Sequence, residues 1–183
     1  MIRLVDMPVL ETARLILRVP QASDFNAFAA FMASERSGFV GGPMERDLAW
    51  RGFGHMVGHW VLRGFGMFVI LDRASGKAIG TCGPWNPEGW PEPELGWTLW
   101  DQSFEGKGYA REAAEAARRY AYEVLGWPTA ISLIAPDNKA SAALAERLGA
   151  TPDGSWELRG KTVSVWRHPA AETVMHGKTE AYA

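Results

Sequence analysis

Apolar positions along this chain switch between a period of two and a period near 3.6, and each switch predicts an element. Leu15, Ile16 and Leu17 between Arg14 and Arg18 predict a first strand; Phe25, Phe28, Ala29 and Met32 then recur at helical spacing. A second helix is expected over 45–62, open to a bend or break at Gly52, Gly54 and Gly58, each weaker than alanine there by about 1 kcal/mol. Strands over 66–71 and 77–82 flank the polar Asp72-Arg73-Ala74-Ser75-Gly76 and read as an antiparallel hairpin. A loop rich in Pro, Gly and Trp over 83–93 leads to a strand over 94–100. Ala110, Ala113, Ala114, Ala117, Ala121 and Val124 mark the clearest helix, stopped by Gly126 and Pro128. A buried strand over 130–134 precedes a helix capped by Asp137 or Asn138, carrying Ala140, Ala143, Leu144 and Leu148 and ending at Gly149. Strands at about 154–158 and 162–167 close the pattern around Arg159-Gly160. The order βααβββαβαββ implies an α/β fold: a mixed, mostly antiparallel central sheet with helices on both faces.

Composition narrows the class. With 183 residues, 47% apolar, 22% charged and a net charge of -2, the chain reads as one soluble globular domain over 1–168, followed by a small, polar C-terminal tail over 169–183. Disorder and collagen are excluded, and no basic stripe calls for a nucleic-acid partner. The start lacks the pattern of a signal peptide, and no apolar run nears the roughly 18 residues of a membrane span, so no membrane partner is expected. Cys82 is the lone cysteine, which rules out an internal disulfide or a Cys-rich zinc site and fits a reducing, cytoplasmic setting.

Between the strand at 94–100 and the alanine-striped helix stands Glu105-Gly106-Lys107-Gly108-Tyr109-Ala110. Its glycines keep side chains off a turn whose N–H groups point outward at a helix N-terminus, where peptide dipoles favour an anion such as a phosphate. An ordinary strand-to-helix turn fits the same spacing. Two rival phosphate motifs fail: the dinucleotide fingerprint G-x-G-x-x-G needs glycine at Arg111, and a nucleoside-triphosphate loop ending at Gly160-Lys161-Thr162 needs one at Ser155.

Residues 105–110 resemble the pyrophosphate turn, Q/R-x-x-G-x-G/A, of the GNAT superfamily of acetyl-CoA-dependent N-acetyltransferases, with Glu105 in the place of Gln or Arg. Asn138, Ser141, Leu144 and Leu148-Gly149-Ala150 resemble that superfamily's second block, and Glu94-Leu95-Gly96-Trp97 resembles a strand of its ribosomal-protein N-terminal acetyltransferases. The opening 10–18 is similar to how that branch begins, and the motifs together span roughly 10–168. The resemblance implies the GNAT-like fold and acetyl-CoA as co-substrate, without a metal. It implies cofactor contacts at Thr98, Leu99, Trp100, Glu105, Gly106, Lys107, Gly108, Tyr109, Ala110, Asn138 and Ser141, although the 94–105 segment is one residue longer than the branch's pattern.

Acetyl transfer to an amine needs a base for the amine, support for charge on the carbonyl oxygen, and a proton for the departing thiolate. A terminal α-amine, with a pKa near 7.8, demands less of that base than a lysine near 10.4. Glu94 is the candidate base, with Glu92 and Glu88 as competitors, and Ser141 is the candidate acid; a solvated strand-end Glu94 and a capping Asn138 are the plainer alternatives. Trp85, Trp90, Trp97 and Trp100 offer an aromatic wall for the acceptor or serve as core anchors. His55 and His59, at i and i+4, lack the third ligand a metal would need and offer lining for the acceptor pocket. The expected function is N-acetylation of a protein N-terminus or a small-molecule amine by a monomer or homodimer. A non-catalytic CoA-binding regulatory module is the alternative, and a dinucleotide oxidoreductase is disfavoured by Arg111.

Overall fold

The computed structural model of the protein describes residues 6–176. The chain runs β1 (Leu10–Glu11), β2 (Leu15–Arg18), α1 (Phe25–Met32), α2 (Arg46–Arg63), β3 (Phe68–Asp72), β4 (Ala78–Trp85), β5 (Glu94–Leu99), α3 (Tyr109–Glu123), β6 (Ile131–Ile134), α4 (Lys139–Arg147), β7 (Thr151–Leu158), β8 (Lys161–Arg167) and α5 (Ala171–His176). Among the described residues the eight strands form one sheet in the order β1-β2-β3-β4-β5-β6-β8-β7. Every pairing is antiparallel except β5 with β6, which is parallel.

The expected elements recur with instructive differences. The helix α2 passes unbroken through Gly52, Gly54 and Gly58, because Ala49, Phe53, Met56 and Trp60 bury one face almost fully. Burying those side chains outweighs a glycine cost of roughly 3 kcal/mol in total. β4 extends to Trp85, beyond the expected 82, since the antiparallel register with β5 runs on to Trp85 opposite Glu94. β7 starts at Thr151 rather than near 154, its register interrupted between Pro152 and Ser155. The two-residue β1 is too short to carry a period and was not expected. In the expected tail, 171–176 forms α5, with Ala171 and Val174 packed on the core; residues 177–183 lie outside the described residues.

Helices cover both faces. On one, Ala113, Ala114, Ala117 and Ala121 of α3 are fully buried, and their small side chains let the helix sit close on Leu15, Phe68, Ile79 and Leu95. On the other, α1 and α2 pack Phe28, Met32, Phe53 and Met56 around Val69 and Trp100. The sheet is open, and its weakest seam is the parallel one, where register is kept only at Glu94 opposite Ile131.

Candidate active site

The site begins where β5 and β6 part. Ile131 N–H still reaches the Pro93 carbonyl at 3.0 Å, and a continuing parallel ladder would next bring Leu133 N–H to Leu95 O. Two side chains take those partners instead. Leu133 N–H donates to Glu94 Oε1 at 3.2 Å, and the Ser132 hydroxyl donates to Leu95 O at 2.6 Å. The strands separate into a slit, and the Trp97 N–H that would have met Leu133 faces it. Behind Ser132, His168 Nε2 lies 2.9 Å from the hydroxyl oxygen; with the Ser132 proton on Leu95, the imidazole nitrogen is the donor. Burial lowers the pKa of His168 to about 3 and keeps it neutral.

Glu94 shares a sheet face with Trp85, its cross-strand partner. Trp90 Nε1 donates to one carboxylate oxygen while Leu133 N–H holds the other. Burial raises the Glu94 pKa from 4.5 to about 7, against the lowering pull of these two hydrogen bonds. Its competitors are otherwise engaged: Arg167 grips Glu92 through bonds of 2.7 and 2.9 Å that hold its carboxyl below the ordinary value, and Glu88 is fully exposed, 3.5 Å from Arg63.

The alternation of β5 sends Trp97 to the opposite face, where it packs, as Ala142 of α4 does, on the cluster of Ile134, Ala145, Ala150 and Trp166. Trp97 Nε1 donates to Ser141 Oγ at 3.2 Å, leaving the Ser141 proton free to be given elsewhere. Asn138 caps α4 by accepting the Ser141 N–H on Oδ1 at 3.1 Å, so capping occupies its oxygen and leaves its NH₂ available. A cavity of about 840 Å³ threads the slit, lined on one side by Trp85, Trp90 and His55 and on the other by Asn138 and Ser141, with Glu94, Thr98 and Ser132 between. A second groove of about 680 Å³, lined by Arg18, Asn26, Lys77 and Asp101, contains none of Glu94, Asn138 and Ser141.

The turn at 105–110 lies outside the cavity lining, at the start of α3. Gly106 and Gly108 take left-handed φ of 70° and 81°, which glycine alone adopts freely. Among the described residues the N–H groups of 106–111 make no hydrogen bond of ordinary geometry, leaving donors at the positive end of the α3 dipole. Arg14 braces the turn, donating to Lys107 O at 2.9 Å, pairing with Glu112 at 2.6 Å and stacking 4.2 Å from the Tyr109 ring centroid. The Glu105 carboxylate is paired with Arg36, which also donates to Leu99 O at 3.0 Å and to Trp100 O. A negative charge at this position is thus neutralised within the protein. Thr98 lines the cavity; Leu99 packs toward the core; Trp100 gives its N–H to Ile79 O at 2.8 Å and its ring to Phe28.

His59 is a structural residue. Its Nδ1 lies 2.6 Å from Phe65 O, its Nε2 accepts Asn86 N–H at 3.2 Å, and its ring stacks on Trp85. With both nitrogens in use it has none left for a metal. Among the described residues no group of three His, Cys, Asp or Glu side chains is placed to hold a metal ion. Cys82 is fully buried, and burial pushes its thiol pKa up, away from reactivity. Arg14, Arg36, Ser132 and His168 were invisible to motif reading, since their partners lie 36 to 98 positions away; the only local trace was an apolar strand interrupted by a serine.

The chain is similar to a solved acetyltransferase from Agrobacterium tumefaciens, at 39% identity over 92% of this chain and 98% of that one, with a TM-score of 0.82. It shares its fold with the ribosomal L7/L12 alpha-N-protein acetyltransferase RimL in complex with coenzyme A, at 19% identity over 88% and 97% of the two chains and a TM-score of 0.70. It is 31% identical to the uncharacterized protein YkkB of Bacillus subtilis (strain 168) over 110 residues, spanning 59% of the length of each. The family model for the acetyltransferase (GNAT) domain matches residues 14–151, and the chain belongs to the GNAT family of acetyltransferases.

Proposed function

We propose that the chain moves an acetyl group from acetyl-CoA to a primary amine, which attacks the thioester directly. The observation that carries this reading is the slit, which Glu94 enters on one face of the sheet while Ser141, held by Trp97, stands on the other. The residues suit the co-substrate: the unpaired N–H groups at 106–111 form a cradle for its diphosphate, and the Asn138 NH₂ is a donor for its amide-bearing arm. Thr98, Leu99 and Trp100 form the strand edge along which that arm would lie.

A bound acetyl thioester supplies an electrophilic carbonyl carbon and a thiolate leaving group. Glu94 accepts a proton from the amine as the C–N bond forms, and the Trp97 N–H stabilises the charge growing on the carbonyl oxygen. Ser141 gives its proton to sulfur as the C–S bond breaks, then regains one from solvent, while Glu94 returns its proton there. The products are an amide and a free thiol. With a pKa of about 7, Glu94 is ionised in roughly half the molecules at neutral pH, a base matched to an α-amine.

In this reading one domain over 1–168 carries the reaction, as a monomer or homodimer, in the reducing cytoplasm that a lone buried Cys82 suits. The ribosomal-protein enzymes sharing the fold support a protein N-terminus as acceptor; a cavity of about 840 Å³ equally admits a small amine. Calorimetric titration with acetyl-CoA, paired with CoA release over a panel of amines, tests the reading. Amine-stimulated release is expected, whereas binding without release would favour a non-catalytic CoA-binding module.

A further inference from the structure

The face of the cavity opposite Ser141 carries charge that the proposed chemistry does not use. Arg159 and Lys161, at the tip of the β7–β8 hairpin, both line it. Among the described residues neither forms a salt bridge. Arg159 also sits in an unfavourable backbone. With Leu158 paired to Lys161, Arg159 and Gly160 are the two central turn residues, at φ of 52° and 75°. Such turns favour Asn-Gly, and an arginine in the left-handed region is held there against its preference. Its guanidinium lies 5.6 Å from the Trp90 ring centroid, and the same indole donates Nε1 to Glu94. Trp90 thus contacts both a positive charge, over its ring, and the proposed base, through its Nε1. The same charge reaches His55, which lines the cavity beside Trp85, and helps burial and His59 to lower its pKa.

We infer that the acceptor amine carries an anionic group, a carboxylate or phosphate, at the end of its body away from the nitrogen, and that Arg159, supported by Lys161, receives it. This rests on the acetyl-transfer reading. With the amine at Glu94, a flat or apolar body lies along Trp85 and Trp90, and the anion reaches the hairpin tip. Trp90 then serves as a ruler: acceptors whose charge adjoins the amine gain nothing from Arg159, while those with the two groups at opposite ends gain both contacts.

Three amines of one shape provide the test: benzylamine, para-aminomethylbenzoate and its neutral carboxamide, para-aminomethylbenzamide. The full-length protein is assayed by CoA release with saturating acetyl-CoA. The carboxylate is expected to exceed the carboxamide in kcat/KM by roughly tenfold, as for a charge-assisted contact, and the ratio should shrink as salt is raised. Arg159→Gly, which suits the turn's backbone, should bring the ratio to near one, and Arg159→Lys should restore part of it. Equal kcat/KM for carboxylate and carboxamide, alongside clear CoA release, overturns this inference and leaves acetyl transfer standing. A ratio that survives in Arg159→Gly, with weakened acetyl-CoA binding, also overturns it, because the charge would then serve the co-substrate. No CoA release with any amine counts against acetyl transfer itself, and with it against the acceptor reading.

Discussion

Replacing Glu94 with Gln isolates the free energy of keeping an ionised carboxylate in the slit. In the unfolded chain this side chain titrates near its ordinary 4.5; in the folded protein burial raises it to about 7. Below pH 4.5 both states hold the proton. Between 4.5 and 7 the folded chain keeps it while the unfolded chain releases it, so the stability this group provides drains away as pH rises through the folded value. At about 1.4 kcal/mol per pH unit, the loss amounts to roughly 3 kcal/mol by pH 8. Glutamine titrates nowhere in this range. It does forfeit part of the bonding to Trp90 and Leu133, which shifts its curve by about 1 kcal/mol at every pH without altering the slope. Urea unfolding followed by tryptophan fluorescence, at half-unit steps of pH across this range, should show the wild-type midpoint falling relative to Glu94→Gln and levelling above neutrality. Parallel curves for the two proteins would show a well-solvated carboxylate, and the argument for Glu94 as a base tuned to neutral pH would go with it.

Three further perturbations read other parts of the site. Gly108→Val forces a β-branched side chain into a left-handed φ of 81°, with its Cβ 3.4 Å from Arg14, and should weaken acetyl-CoA binding at least tenfold by calorimetry; full affinity in a folded variant would remove the turn from the co-substrate site. Ser141→Ala should lower kcat by roughly ten- to a hundredfold in the CoA-release assay while thermal stability barely moves, because the cap uses its backbone N–H, and unchanged kcat would end its role as proton donor. Ser132→Ala leaves Leu95 O and His168 Nε2 buried without their partner and should cost about 1–3 kcal/mol in urea unfolding, a loss absent if the hydroxyl is incidental.

The parts of this molecule legible in the sequence are those written in local periods. The alanine stripe of α3, its glycine turn and the Asn138 cap of α4 all rest on residues within a few positions of one another, and all three stand where spacing put them. Periodicity located Glu94 on a strand but held no record of its burial, which depends on Trp90 folding back over it and on a β6 amide 39 positions away. Intrinsic propensity misled at α2, where three glycines argued for a break and a buried face of Phe53, Met56 and Trp60 overruled them. At Glu105 the resemblance put a carboxylate where the family's turn has Gln or Arg. Its neutralising Arg36 comes from a short helical segment 69 positions earlier, which no spacing rule connects to the turn.

The slit joins these levels. A strand presents successive side chains to opposite faces, so Glu94 and Trp97, three apart, fall on opposite sides of β5. In an unbroken sheet that would divide Glu94 from Ser141 by a wall of hydrogen-bonded backbone. Here Glu94 and Ser132 take the hydrogen bonds that would have continued the wall, and the opening they create reaches through to Ser141. The same carboxylate thus opens the passage and occupies it. A carboxylate confined in that opening loses water, which raises its pKa toward neutrality, and it keeps one oxygen on a backbone N–H, which fixes its direction. Moving the carboxyl by one residue along β5 would send it to the other face, lose the Leu133 contact and allow the ladder to close. The chemistry proposed for Glu94 and Ser141 therefore depends on the register of one short strand pair.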